Sequence, residues 1–221
     1  MPQIFHPSAN TLARVSLALL VGGPLGLLTL GYLLMKSPFQ TQQRVIREQP
    51  VPFSHEHHVK GLGIDCRYCH SSVETSANAG IPPTYTCMSC HSQIWSTSPM
   101  LEPVRASLKT GQPLKWNRLH DLPDFVYFHH GIHVSKGVSC ESCHGRVDQM
   151  PLAWKEKPLT MEWCLECHRQ PGDNLRPKDA VFAMGWEPGS SAGGQAALGQ
   201  SLVRQNHVQV EQLTNCSVCH R

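Results

Sequence analysis

The apolar positions of this chain fall into one long block and then scatter. From Val15 to Met35 the sequence runs 21 residues without a charge, between Arg14 and Lys36, long enough to cross a bilayer as one helix. A cleaved signal peptide would carry a shorter apolar region and a small-x-small cleavage site, which Met35-Lys36-Ser37-Pro38 does not resemble. An uncleaved anchor is therefore expected, with Gly22, Gly23, Pro24 and Gly26 predicting a kink or a close helix neighbour at its middle. Beyond it, long stretches sustain neither helical nor strand periodicity. Residues 185–194 read as a flexible linker and Gln195 to Gln205 as a short helix. The expected class is mostly α and irregular, with one N-terminal transmembrane helix.

Composition sharpens this picture. Charged residues make up 16% of the chain, and Gly and Pro number 17 each, so the polypeptide offers little amphipathic surface from which to build its own core. Something else is expected to fill the interior. The formal charge of +3 implies no nucleic-acid partner, because the charges of a bound cofactor are not counted in it.

The candidate for that filling is repeated along the chain. Cys-x-x-Cys-His occurs at Cys66 to His70, Cys87 to His91, Cys140 to His144, Cys164 to His168 and Cys216 to His220, and uses all ten cysteines. A haem c needs two thiols for thioether bonds to its vinyl groups and an imidazole next in sequence to bind the iron from one face. A zinc site would pair one Cys-x-x-Cys with a second ligand pair, and a dithiol redox pair needs no following histidine. The reading is five haem c, with Cys66, Cys69, Cys87, Cys90, Cys140, Cys143, Cys164, Cys167, Cys216 and Cys219 as attachment points and His70, His91, His144, His168 and His220 as proximal ligands.

An internal repeat surrounds four of these motifs. Phe53-x-His55-x-x-His58 precedes Cys66 with seven residues between, and Phe128-x-His130-x-x-His133 precedes Cys140 with six; in each copy a second motif follows, after 16 and 19 residues. Two histidines three apart on a helical turn share a face and are spaced to reach two neighbouring haems. His55, His58, His130 and His133 are therefore the expected distal ligands, with Phe53 and Phe128 packed at a haem edge. The adjacent His57 and His129 point elsewhere. For the fifth haem His120 is the first candidate, with Met150 and His207 behind it; a Met ligand would raise that haem's potential. The expected segments are 1–14 inside the cell, 15–35 the anchor, 36–52 a linker, 53–91 and 128–168 two dihaem modules, 92–127 a connector and 169–221 a tail with the fifth site. The tail either reaches toward a partner or folds back.

The charges flanking the anchor, Arg14 against Lys36, Arg44 and Arg47, taken alone point the haem domain inward. Haem attachment outside the cytoplasmic membrane overrides that signal. The expected location is the bacterial cytoplasmic membrane, single-pass, with the haem domain on the periplasmic side.

Between Pro52 and Arg169, Gly63-Ile64-Asp65-Cys66-Arg67-Tyr68-Cys69-His70, Ile81-Pro82-Pro83-Thr84, Cys87-Met88-Ser89-Cys90-His91, His120-Asp121-Leu122-Pro123-Asp124-Phe125-Val126-Tyr127-Phe128 and Glu162-Trp163-Cys164-Leu165-Glu166-Cys167-His168-Arg169 resemble the pentahaem cytochrome c subunit of bacterial alternative complex III. The local module is also similar to small periplasmic tri- and tetrahaem cytochromes. The resemblance implies a quinol-oxidising respiratory or photosynthetic complex. In it this subunit sits beside an iron-sulfur subunit, a monohaem cytochrome c and polytopic quinol-binding subunits, and electrons pass to a periplasmic acceptor. With both axial positions filled an iron changes oxidation state without binding substrate, so the chain is expected to be an electron wire with no catalytic residues of its own. The rivals are a stand-alone single-helix quinol dehydrogenase and a catalytic multihaem reductase, which requires an open iron.

Overall fold

The computed structural model describes residues 4–189 and 193–221. Residues 1–3 of the expected cytoplasmic segment, and Ser190, Ser191 and Ala192 of the expected linker, lie outside the described residues. The chain forms two compact units, Met1–Gln43 and Arg44–Arg221.

The first unit is α1 (Ala9–Lys36) followed by the single turn α2 (Pro38–Thr41). Helix α1 starts six residues before the uncharged run, because one arginine in an otherwise helix-compatible sequence does not stop helix formation. Pro24 removes one backbone donor yet lies inside the helix without ending it. No residue of α1 is buried and it is long and apolar enough to cross a membrane, so it fits a single-pass anchor. Ser37 ends it, with its amide donating to the Leu34 carbonyl at 3.2 Å and Pro38 opening the next turn.

The second unit is built from short helices: α3 (Cys66–Cys69), α4 (Thr84–His91), α5 (Glu102–Thr110), α6 (His130–Ser135), α7 (Cys140–His144), α8 (Met161–Arg169), α9 (Gly194–Gln205) and α10 (Cys216–Cys219). A π-type turn occupies Glu56–Gly61. The isolated bridges Ile46–Trp154 and Val138–Leu175 are the strand pairing among the described residues. Only nine hydrophobic residues of the described chain are buried. One small cluster joins Val51 to Leu101 and Val104 beside Cys87, Met88, Leu114 and Trp116; Met150, Leu175 and Val181 are the most deeply buried large side chains. So small a core matches a chain organised around something other than its own apolar side chains.

Helix α9 falls where the sequence predicts it and packs on the Pro171–Asn174 turn. The approach is close enough that a Cβ on Gly199 would overlap the Gly172 carbonyl. Past α9 the chain turns back, with the Tyr127 amide donating to the Cys219 carbonyl at 2.8 Å. The tail thus lies along the stretch that leads into α6.

Candidate functional site

Each Cys-x-x-Cys forms a turn of helix, in α3, α4, α7, α8 and α10, which places the two thiols, three residues apart, on one face. The turns are set locally. Asp65, Ser139 and Thr160 cap α3, α7 and α8 by accepting from the amides of Arg67, Ser142 and Trp163. No two cysteines are joined in a disulfide. The motifs are numbered here as sites I to V in chain order.

The histidine after each motif is held through Nδ1. His70 Nδ1 lies 2.7 Å from the Gly80 carbonyl, His91 3.1 Å from Ile94, His168 2.9 Å from Leu213 and His220 3.0 Å from Phe125. A carbonyl only accepts, so in each case Nδ1 carries the proton and Nε2 keeps its lone pair. That is the tautomer a metal ligand needs, fixed by a backbone partner as metal-bound histidines usually are. His144 differs: its Nδ1 meets Nε2 of His120 at 3.2 Å.

The repeated Phe-x-His-x-x-His segments have the same geometry twice. Phe53 meets His55 edge-on at 4.9 Å between ring centres and stacks on His58 at 4.4 Å; Phe128 meets His130 edge-on at 4.7 Å and stacks on His133 at 4.6 Å. Each phenylalanine thus touches both imidazoles of its own turn. His58, His130 and His133 also direct Nδ1 at carbonyls, of Ser54, Ala77 and His129, each at 2.8 Å. The first repeat forms a π-type turn where the second forms α6.

These turns bring the histidines opposite the motif histidines. Ring centres are 6.2 Å apart for His58 and His91, 6.3 Å for His130 and His144, and 6.2 Å for His133 and His168. Two imidazoles bound on opposite faces of one metal at about 2 Å, each with its ring centre roughly 1 Å further out, give a separation of about 6 Å. The fourth histidine, His55, has a buried Nδ1 with no hydrogen-bond partner among the described residues. The donor set and its spacing fit haem c.

Burial holds His55, His120, His133 and His144 neutral. It lowers the pKa of His55 and His120 to about 4 and of His144 to about 3, with neighbouring histidines adding to the effect, and it lowers that of His133 as well. Neutral imidazole is the metal-binding form. Burial likewise raises the Cys143 thiol to about 12, which suppresses its thiolate until it is alkylated or otherwise bonded.

The remaining candidates are placed as follows. His120 sits against the His144 ring, 4.2 Å between centres. Met150 is buried beside the Glu56–Gly61 turn, its carbonyl accepting from the Glu56 amide at 3.1 Å. His207 is exposed, in a left-handed backbone conformation. Among the described residues no hydrogen bond or ring contact joins any of the three to His220, whose ring neighbour is Phe125 at 5.8 Å. Of the two histidines expected to point elsewhere, His57 is exposed and stacks on Trp95, and His129 caps α6 through Nδ1. The carbonyls that orient these histidines were not legible in the sequence, since any residue supplies one. The Tyr68 to Ser89 hydroxyl contact, at 3.0 Å between two haem motifs, was equally hidden.

No family model matches the chain. Over 99 residues it is 38% identical to the multihaem cytochrome c subunit of a menaquinone reductase from Nitratidesulfovibrio vulgaris. The match takes in 44% of this chain and 46% of the relative, so the chain spans about half the length of the curated protein it matches. What this chain is similar to is therefore a cytochrome c subunit carrying several haems.

Proposed function

We propose that this chain is a membrane-anchored pentahaem c-type cytochrome that conducts electrons between a quinone-reactive membrane complex and a periplasmic carrier. The observation that carries the reading is the set of three histidine pairs with ring centres 6.2 to 6.3 Å apart, each reaching across from a repeated turn to a motif histidine. Bound haem supplies a one-electron ferric/ferrous couple. The chain's residues hold and tune it: paired thiols fix each porphyrin, carbonyls at Nδ1 fix the imidazole tautomer, and burial keeps His55, His133 and His144 neutral. His58 serves site II, His130 site III, His133 site IV and, by the symmetry of the repeat, His55 site I. His120 is the first candidate for the distal position of site V, with Met150 and His207 after it.

The finer reading is a subunit of alternative complex III, supported by the motifs between Pro52 and Arg169, with an iron-sulfur subunit, a monohaem cytochrome c and polytopic quinol-binding subunits as partners and quinol oxidation located in those partners. The relative's name favours a second direction, in which electrons arrive from the periplasm and reduce a menaquinone. Adding a quinol analogue to the complex purified from membranes separates the two. Rapid haem reduction supports quinol oxidation; haems reduced by a periplasmic donor and reoxidised by a menaquinone analogue support the reverse. Reduction of the isolated chain by the quinol analogue would instead make it a dehydrogenase in its own right, and a spectrum altered by cyanide or carbon monoxide would expose an open iron. Mass spectrometry of the intact chain must show five covalent haems, and fewer would defeat the proposal.

A further inference from the structure

We propose that the five sites do not follow one another in chain order but run II–I–III–IV–V, so that the second and the last motif are the two ends of the electron path. The inference rests on the reading of the motifs as haem c sites and goes beyond it.

Each junction is visible in the structure. Sites I and II touch directly, since Tyr68 inside the first motif shares a hydrogen bond with Ser89 inside the second at 3.0 Å, and His55 and His58 project from one turn wedged by Phe53. Sites I and III meet where α6 docks on the loop that follows the first motif. His130 donates to the Ala77 carbonyl through its amide at 3.2 Å and through Nδ1 at 2.8 Å, and the Gly131 amide donates to Ser76 at 3.0 Å. Sites III and IV share α6, whose His130 faces His144 and whose His133 faces His168. Sites IV and V meet through the tail, where Leu213, three residues before Cys216, accepts from Nδ1 of His168 at 2.9 Å.

Exposure agrees with this order. Cys90 of site II and Cys216 of site V are the two exposed cysteines; the other eight are half-buried. An electron entering at one end steps from each reduced site to the next oxidised one, and site I, first in sequence, is an interior relay.

The test uses the full-length holoprotein in detergent. Thr214 is exposed and two residues from Cys216, so Thr214→Cys accepts a ruthenium photoreductant beside site V, the native cysteines being occupied by thioethers. Haem I is then deleted with Cys66→Ala and Cys69→Ala, or haem II with Cys87→Ala and Cys90→Ala, and the haem count is read by mass. In the proposed order, fast photoreduction reaches every remaining haem when II is absent and all but one when I is absent, because II is then stranded. The reverse pattern, with I stranded by loss of II, overturns the order while leaving the haem reading intact; a parent protein with fewer than five haems overturns that reading instead. Where a deletion variant does not mature, a cryo-EM map of the unaltered holoprotein decides: the porphyrin bonded to Cys66 and Cys69 lies between those on Cys87/Cys90 and Cys140/Cys143, and any other placement rejects the proposal.

Discussion

The docking of α6 on the loop after the first motif depends on one missing side chain. A Cβ at Gly131 would stand 2.8 Å from the Glu74 carbonyl oxygen and 3.1 Å from the carbonyl carbons of Glu74 and Thr75, all backbone atoms with no rotamer to yield. Gly131→Ala must therefore push α6 away from the loop. Overpacking of this kind costs about 1–3 kcal/mol. The displacement also weakens the bonds from Gly131 to Ser76 and from His130 to Ala77, each contributing about 1 kcal/mol, and alanine returns about 1 kcal/mol as the better helix former. The net is a loss of about 3 kcal/mol. For a chain of this size that lowers Tm by roughly 6–12 °C, measured by scanning calorimetry on the holoprotein. Gly61→Ala is the control: its nearest backbone neighbour, the Glu56 carbonyl oxygen, would lie 3.7 Å away in ordinary contact, and stability should change by less than about 1 kcal/mol. Equal effects of the two substitutions would refute the argument that backbone contact at Gly131 holds α6 against the loop after the first motif.

Replacing His58 or His133 with alanine should convert one haem from low-spin to high-spin, seen by electron paramagnetic resonance; a variant with an unchanged spectrum removes that residue from the ligands. Acidification should destabilise the protein. His55, His120 and His144 have folded pKa values of about 4, 4 and 3 against an ordinary 6.5, so the unfolded chain takes up protons near pH 6.5 that the folded chain refuses. Stability falls as pH drops through that window, at up to about 1.4 kcal/mol per pH unit for each group, and a Tm unchanged between pH 7 and pH 5 would contradict it. Arg146 grips the buried Asp148 carboxylate with two bonds, of 2.8 and 2.7 Å. Arg146→Ala leaves that charge without its partner and should cost on the order of 2 kcal/mol in denaturant unfolding, with Arg146→Lys recovering only part because it lacks the two-pronged geometry.

The Cys-x-x-Cys-His motifs point to haem c from the sequence because thioether attachment needs two thiols and a following imidazole at that spacing, and the similarity to a multihaem cytochrome c subunit agrees with haem c. The apolar run from Val15 to Met35 was equally plain, since length and the absence of charge are read directly from the chain. The twofold Phe-x-His-x-x-His repeat pointed to two similar modules, and the matching ring geometry around Phe53 and Phe128 follows from that local identity. Partnership was another matter. Which histidine faces which motif depends on contacts across the chain, such as α6 lying on residues 74–77, and on backbone carbonyls that carry no sequence signature. His120 shows the limit most clearly: nothing in the spacing of the chain signals the 3.2 Å contact that its Nε2 makes with Nδ1 of His144. Local spacing determines what each motif binds, whereas the order in which the motifs meet is set by long-range packing, for which the only cost visible in sequence is a glycine where two backbones touch.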